Sequence, residues 1–350
     1  MISTETKKDI RLINKPELVE IILELGEPKF RANQIYEWLW VKGATSFDEM
    51  TNLSKSLRQS LKAFYEIRTL RTDVTQKSND GTIKSRFTLH DGHKIEAVLI
   101  PVPSDNRYTV CVSTQVGCSL TCKFCATGQM KRERNLDPGE IYDQVKMVNV
   151  QCEAHFDRPL TNIVYMGMGE PLLNYKNMMR SVELISSPEG MGLSPKRITV
   201  STAGIAKMIK KLAEDKVKFN LALSLHAATD EKRNEIMPIN EQNNLAVLMN
   251  SLKEFYNATG TKISYEYITF KGFNDSTEDA DALAALCKHF PVLVNIIEYN
   301  PIDGVSFEKS DSLDIDTFAK RLRSHGIMVT IRRSRGKDID AACGQLANKN

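Results

Sequence analysis

Apolar residues recur along the chain at two different periods. Over about residues 10–65 they lie three and four positions apart, as at Leu18, Ile22 and Leu23, which is typical of amphipathic helices. Over about residues 68–102 the apolar runs are short, and turn sequences at 78–81 and 90–92 interrupt them, which predicts strands. We therefore expect a helical N-terminal domain over residues 1–67 and a small β extension over residues 68–103.

From residue 104 onward, predicted strands alternate with predicted helices such as 137–155 and 275–290. This alternation favours βαβ units and a parallel sheet. A Gly-x-Gly-x-x-Gly fingerprint does not follow the first strand, so a barrel is favoured over a dinucleotide-binding sheet. We predict an α/β fold, a partial (β/α)6 barrel of the TIM type over residues 104–345. Its candidate strands are 109–114, 162–166, 197–202, 219–225, 263–269, 293–299 and 327–332.

Polar and metal-binding residues follow the ends of these predicted strands. The carboxyl ends of parallel barrel strands are where active sites are built. Five separate strand ends contribute such residues, which predicts a single site at that rim. The residues are Cys118, Gly169, Glu170, Ser201, His226 and Asn300.

Three cysteines form a Cys-x3-Cys-x2-Cys run, Cys118, Cys122 and Cys125, in the loop after the first barrel strand. Cubane iron–sulfur clusters are usually held by four cysteines, so three leave one iron open to a ligand such as the amino and carboxylate groups of S-adenosylmethionine (SAM). The alternative is a structural zinc site, which requires four ligands. Cys111 is the candidate for a fourth ligand, but it lies inside a predicted strand.

Composition restricts the partners only weakly. Lys and Arg number 47 and Asp and Glu 44, a net charge of +3, which permits but does not predict nucleic-acid binding. Local basic clusters occur at 131–134 and 332–337. No apolar run approaches the roughly 20 residues of a membrane span, and residues 1–8 lack the apolar core of a signal peptide. We expect a cytoplasmic protein without a membrane partner.

The chain resembles the radical SAM superfamily and, over nearly its whole length, the RlmN/Cfr family of adenine methyltransferases. The segments that carry this resemblance are 115–118, 124–127, 166–171, 224–226, 299–301 and 338–346. The resemblance implies a radical SAM barrel with a [4Fe-4S] cluster on Cys118, Cys122 and Cys125. It also implies a SAM pocket made by Gly169, Glu170, Ser201, Ser224, Leu225, His226 and Asn300.

The resemblance further implies a reaction that uses two SAM molecules per turnover. The first methylates Cys343, and the second is cleaved to a radical that activates this methyl group for addition to adenine. Cys111 then attacks the Cys343 sulfur, which releases the RNA and leaves a disulfide, while Glu96 accepts a proton. By residue pattern alone, Cys111 and Glu96 are ordinary strand residues, and Cys152 and Cys287 are core residues.

The expected function is methylation of adenosine C2 in 23S rRNA, at the peptidyl transferase centre, and in tRNA beside the anticodon. The N-terminal helices would bind RNA, a flavodoxin would supply electrons, and the protein would be a monomer. Two alternatives stay open. One is the Cfr-like activity at adenine C8, and the other is a non-catalytic, metal-containing RNA-binding protein, which would need neither Cys343 nor Cys111.

Overall fold

The computed structural model describes residues 7–349 and is organised by one ten-stranded sheet. Part of the expectation about the N-terminal segment falls on residues 1–6, which lie outside the described residues. Strands that follow each other along the chain are also neighbours in this sheet. They are β1 (Arg71–Lys77), β2 (Ile83–Thr88), β3 (Lys94–Val102), β4 (Arg107–Cys111), β5 (Asn162–Tyr165), β6 (Ile198–Thr202), β7 (Asn220–Ser224), β8 (Ile263–Thr269), β9 (Leu293–Glu298) and β10 (Met328–Arg332).

Strands β4 to β10 are parallel, and helices connect them. The α-helices are α1 (Lys15–Glu24), α2 (Phe30–Glu37), α3 (Lys55–Phe64), α4 (Pro138–Phe156), α5 (Tyr175–Ser186), α6 (Ala206–Glu214), α7 (Asp230–Ile236), α8 (Leu245–Thr259), α9 (Thr277–Leu286) and α10 (Ser312–Ser324). The six β/α units of a partial barrel are thereby confirmed, and β10 adds a seventh parallel strand at the edge.

Local sequence explains where the helices begin and end. Helix α4 begins with a capping box between Asp137 and Glu140, with Pro138 in its first turn, because these groups satisfy the free N–H groups of a helix start. Helix α8 begins at an Asn244 cap and ends at Gly260, whose φ of 61° is left-handed. Such signals lie within a few residues of each other, so the helices could be predicted from sequence.

The N-terminal helices pack against the barrel through buried side chains. A π-helical turn, Trp38–Lys42, follows α2, and it places the Trp40 ring edge-on to Tyr142 of α4 with centroids 5.3 Å apart. Trp40 is buried, so it is a packing residue. Beside it, Arg11 Nη1 lies 2.7 Å from Asp143 Oδ1, and both side chains are buried.

Strands β1 to β3 are antiparallel and continue the sheet outward from β4. The register places Val98 of β3 opposite Cys111 of β4. Residues of β3 therefore lie directly beside the first barrel strand. Among residues 7–349, no helix is both long and apolar enough to cross a membrane.

Candidate active site

A cavity opens at the carboxyl end of the parallel strands, where the sequence predicted it. Nine of the predicted site residues line it: Cys118, Cys122, Cys125, Gly169, Glu170, Ser201, Ser224, His226 and Cys343. Four predicted residues do not line it, namely Leu225, Asn300, Cys111 and Glu96. The structure thus brings together the cysteine run, the turn after β5, the ends of β6 and β7, and the C-terminal segment.

A glycine turn and hydrogen bonds to the C-terminal segment hold the loop that carries the cysteine run in place. Gly117 has a φ of 72°, and a side chain there would collide with the backbone of Lys131. The Ala126 N–H donates to the Gly344 carbonyl at 2.7 Å, and Thr127 Oγ1 donates to the Leu346 carbonyl at 2.6 Å. The cysteine loop and the C-terminal segment are therefore held against each other.

The three thiols of this loop fit a cubane cluster by their chemistry. Burial raises the pKa of Cys118 to about 11 and raises the pKa values of Cys122 and Cys125 as well. Buried thiols of this kind become thiolates when metal displaces their protons. Among residues 7–349, no group of three Cys, His, Asp or Glu side chains is arranged to coordinate a single metal ion. The cubane requirement differs, since each cysteine binds a different iron.

Glu170 is a buried carboxyl group at the wall of the cavity. It follows Gly169, whose φ of 93° and contact with Gln115 leave no room for a side chain. Glu170 Oε2 accepts a hydrogen bond from Ala203 N at 2.8 Å, and Oε1 accepts one from Leu172 N at 3.1 Å. Burial nevertheless raises the pKa of Glu170 to about 7. A cationic ligand beside it would favour the ionised form.

His226 is held in one tautomer at the opposite wall. It adopts a left-handed φ of 55°, and its Nδ1 accepts a hydrogen bond from Ile268 N at 3.1 Å. Burial and the nearby Arg233 lower the pKa of His226 to about 3, so the ring is neutral. Since Nδ1 accepts, the hydrogen is on Nε2, and His226 offers the cavity a donor.

Arg233 of α7 organises this wall, although the sequence analysis did not select it. Its buried guanidinium donates to the carbonyl groups of Leu225, Ala203 and Ser224 at 3.1, 2.6 and 3.2 Å. These residues lie at the ends of two different strands. No local pattern distinguishes this arginine from surface arginines, because its partners lie 8 to 30 residues away.

Cys343 and Cys111 are neighbours of unequal exposure. Cys343 is exposed and lines the cavity, whereas Cys111 is buried at the end of β4. Burial raises the pKa of Cys111, and the Cys343 thiol nearby raises it further. Desolvation by the surrounding residues also raises the pKa of Cys343, and the positive charge of Arg332 opposes this effect. All seven cysteines are free, and Cys152 is a core residue, as predicted.

Glu96 lies outside the cavity, on the buried face of β3. Its Oε2 accepts hydrogen bonds from the backbone N–H groups of Ala347 and Asn348 at 3.1 and 3.2 Å. Its Oε1 lies 3.5 Å from Lys84 Nζ. The structure thus brings Glu96 to the segment that follows Cys343.

Several residues that line the cavity were not predicted. Most are apolar, but Glu266 of β8 is a carboxylate, and Arg332 Nη1 lies 3.4 Å from its Oε2. The available signal was a lone carboxylate inside a strand whose other residues are uncharged. The apolar residues that sequence analysis missed include Leu120, Ala203, Met237, Ile268 and Ile297.

Comparison with known proteins agrees with this geometry. Residues 9–67 match the ribosomal RNA large subunit methyltransferase N-terminal domain, and residues 112–284 match the radical SAM superfamily. The chain is 53% identical over 343 residues to the "Probable dual-specificity RNA methyltransferase RlmN" of Flavobacterium psychrophilum, covering 98% of each chain. It is 55% identical over 346 residues to the protein of the same description from Christiangramia forsetii, covering 99% of this chain and 98% of that relative. The chain belongs to the RlmN family.

A solved structure extends the RlmN-family assignment to the fold. The crystal structure of a radical SAM methyltransferase from Sphaerobacter thermophilus superposes with a TM-score of 0.91 at 39% identity, covering 98% of this chain and all of that one. The predicted family and the radical SAM fold are therefore confirmed. Membership of the radical SAM superfamily implies a [4Fe-4S] cluster and SAM.

Proposed function

We propose that this RlmN-family protein is a radical SAM methyltransferase that methylates C2 of an adenosine in 23S rRNA and in tRNA. The observation that carries the proposal is the position of Cys343. It shares one cavity with the Cys118, Cys122 and Cys125 loop, and Cys111 is close enough for the two thiols to interact electrostatically. The relatives from Flavobacterium psychrophilum and Christiangramia forsetii are described as dual-specificity RNA methyltransferases, which supports RNA as the substrate.

The residues of the cavity fit both cofactors. Cys118, Cys122 and Cys125 would hold the [4Fe-4S] cluster, which supplies the electron for reductive cleavage of SAM when it is bound. Glu170 would accept hydrogen bonds from the SAM ammonium group, and His226 Nε2 would donate to a SAM oxygen. Gly169, Ser201 and Ser224 would complete the wall, while Leu225 and Asn300 would shape it from behind. Two SAM molecules would be consumed per turnover.

The two remaining thiols divide the transfer chemistry between them. Cys343 is accessible, so its sulfur can take a methyl group from SAM and carry it to the RNA base. In the last step, Cys111 loses its proton and its sulfur bonds to Cys343 sulfur as the bond between Cys343 sulfur and the RNA-linked carbon breaks; that carbon keeps the electron pair and takes up a proton, which completes the methyl group on the base. Both cysteines end as a disulfide, which a reductant returns to thiols. A flavodoxin would supply the electron for reductive cleavage of SAM.

The RNA would contact the N-terminal part of the chain and the mouth of the cavity. We propose residues 1–67 as the RNA-binding domain, residues 68–103 as an extension and residues 104–345 as the catalytic barrel. Lys131 and Arg132 are exposed after the cysteine loop, where they can contact phosphates. A base must leave its stack to reach Cys343. We further propose a cytoplasmic monomer, in keeping with these RNA substrates.

Anaerobic turnover with reconstituted protein, methyl-labelled SAM and RNA, followed by mass analysis of nucleosides, tests the proposal. Labelled 2-methyladenosine is the expected product in 23S rRNA and in tRNA. Labelled 8-methyladenosine would move the chain to the Cfr-like activity. Absence of any labelled nucleoside, with cluster and SAM both bound, would overturn the proposal in favour of RNA binding without catalysis.

A further inference from the structure

Glu266 presents an unused hydrogen-bond acceptor to the active-site cavity. It lies near the middle of β8, opposite Ser224 of β7 and Asn295 of β9, and only 4% of the residue is exposed. Its Oε1 accepts hydrogen bonds from Ser264 Oγ and Asn295 Nδ2, both at 2.8 Å. Its Oε2 has no hydrogen-bond partner, although Arg332 Nη1 forms an ion pair with it at 3.4 Å. Buried carboxylate oxygens are rarely left without a hydrogen bond, so this one can accept a further donor from a ligand.

The surroundings of Glu266 indicate what that ligand is. Glu266 and Cys343 line the same cavity, and Glu266 is close enough to affect the Cys343 thiol electrostatically. Ile268 and Ile297 line the same cavity, and Phe124 adds an aromatic ring. Apolar walls with one aromatic ring suit a planar base. An ionised carboxylate only accepts hydrogen bonds, so it would read an N–H donor on that base.

We propose that Glu266 is a base-binding residue whose Oε2 accepts a hydrogen bond from the 6-amino group of an adenine in the cavity. This inference rests on the proposed function, because both SAM and the substrate RNA would bring an adenine there. Arg332 Nη1, 3.4 Å from Oε2, lies on the same side of the carboxylate. Its guanidinium holds the acceptor in place and provides a donor next to it.

The test compares ligands with and without the 6-amino group. The first pair is RNA with adenosine or purine riboside at the methylated position, and the second pair is SAM or its analogue with purine in place of adenine. Each is measured with the wild-type protein and with Glu266→Met, which keeps a side chain of similar length but has no oxygen acceptor. RNA pairs are compared by binding to the cluster-loaded protein and by kcat/KM, and SAM pairs by binding alone. Ser264→Ala is the matched control, since it removes the bond to Oε1 without altering Oε2.

For the wild-type protein and Ser264→Ala, loss of the 6-amino group should weaken the binding of one of the two ligands by at least about tenfold. For Glu266→Met, the same loss should have little further effect on binding, since the acceptor is already absent. A tenfold effect confined to the RNA pair assigns Glu266 to the substrate base, and one confined to the SAM pair assigns it to the cofactor. Equal losses in wild-type and Glu266→Met protein for both pairs would overturn the proposal.

Failure of this inference can be separated from failure of the proposed function. If the wild-type protein methylates no RNA, the proposed function fails, but the binding comparisons need no turnover and still test Glu266. Iron content and melting temperature show whether Glu266→Met is folded and loaded with the cluster. If Glu266→Met does not fold, Arg332→Ala tests the same geometry by removing the group that holds Oε2 in place, and unchanged discrimination between the two members of each pair would then overturn the proposal.

Discussion

Cys343 is the accessible thiol of the cavity, and its replacement separates binding from chemistry. Cys343→Ala removes the sulfur that would carry the methyl group but leaves Cys118, Cys122 and Cys125 intact. We expect RNA methylation to fall below detection, while iron content and SAM binding stay within about twofold of the wild-type values. Nucleoside mass analysis and equilibrium SAM binding measure the two effects. Methylation by this variant at more than a trace would contradict the methyl-cysteine route.

Cys111 is buried beside Cys343, which suits a thiol that acts late. Cys111→Ala should still allow the methyl group to be added to RNA but should block release, so a covalent protein–RNA species should accumulate. Its amount is measured on denaturing gels after anaerobic turnover. Cys152→Ala is the control, because Cys152 is a buried cysteine on α4 that does not line the cavity. Equal, low amounts of adduct in both variants would remove Cys111 from the resolving role.

At the scale of residues, sequence predicted the site where its chemistry is local. The three cysteines lie within eight positions of each other, and Gly169 with Glu170 forms one turn, so spacing and strand ends were sufficient. Arg233 and Glu266 escaped prediction because their roles depend on partners from other strands. Asn300 was predicted to form part of the SAM pocket; it is buried, its Nδ2 donates to the carbonyl of Glu298 at 3.2 Å, and it is not among the residues that line the cavity.

At the scale of elements, the alternation of strands and helices was predictable, and β8 has the predicted bounds. The bounds of strand β4 were not predicted correctly: the prediction covered residues 109–114, but the strand is Arg107–Cys111. Residues 112–114 are apolar or small, like a strand, yet their N–H groups bond to Val164 O, Gln144 Oε1 and Met168 O instead of continuing the β3 pairing. Tertiary hydrogen bonds therefore end the strand where local pattern would extend it.

Glu96 of β3 contacts the C-terminal segment, and this contact allows its role to be tested by substitution. If Glu96 anchors this segment through the Ala347 and Asn348 N–H groups, Glu96→Gln keeps an acceptor and should preserve methylation of Cys343. Glu96→Ala removes the acceptor, and since each lost bond costs about 1–3 kcal/mol, Cys343 methylation should fall by tenfold or more. Protein mass after incubation with SAM measures it, with melting temperature as a check on folding.

The proton-acceptor role gives a different pattern for the same two variants. Glu96→Gln and Glu96→Ala would then both methylate Cys343 normally, and both would stop at the RNA adduct because the amide and the methyl group cannot take the proton. Arg86→Ala probes the anchoring from the neighbouring strand. Its guanidinium donates to the carbonyls of Asn348 and Lys349 at 3.1 and 2.9 Å, and Arg86 lies on β2, opposite Glu96 of β3.

At the scale of the whole molecule, the helical N-terminal part and the barrel share a buried ion pair. Arg11 Nη1 contacts Asp143 Oδ1 at 2.7 Å, and Asp9 lies 3.7 Å from Arg11 Nε. Burial raises the pKa of Asp143, an effect that Arg11 opposes. Sequence periodicity predicted the helices but could not predict this pair, since its members are 132 residues apart. The pair makes the stability of the two parts interdependent.

Arg11→Ala should destabilise both parts together, because it leaves Asp143 and Asp9 buried without their cation. Removing one partner of a buried pair costs about 3–5 kcal/mol, so we expect the melting temperature to fall by several degrees. Lys15→Ala is the matched control: Lys15 Nζ contacts Glu189 at 2.6 Å between the same two parts, but at the surface, where a pair contributes at most about 1 kcal/mol.

Thermal unfolding measures the effect with two separate probes. Tryptophan fluorescence reports Trp38 and Trp40, and circular dichroism reports the whole chain. Coincident transitions at a lowered temperature are expected for Arg11→Ala. A fluorescence transition that moves alone would mean that the helical part unfolds independently, and RNA bound there would then be coupled to the cavity only loosely.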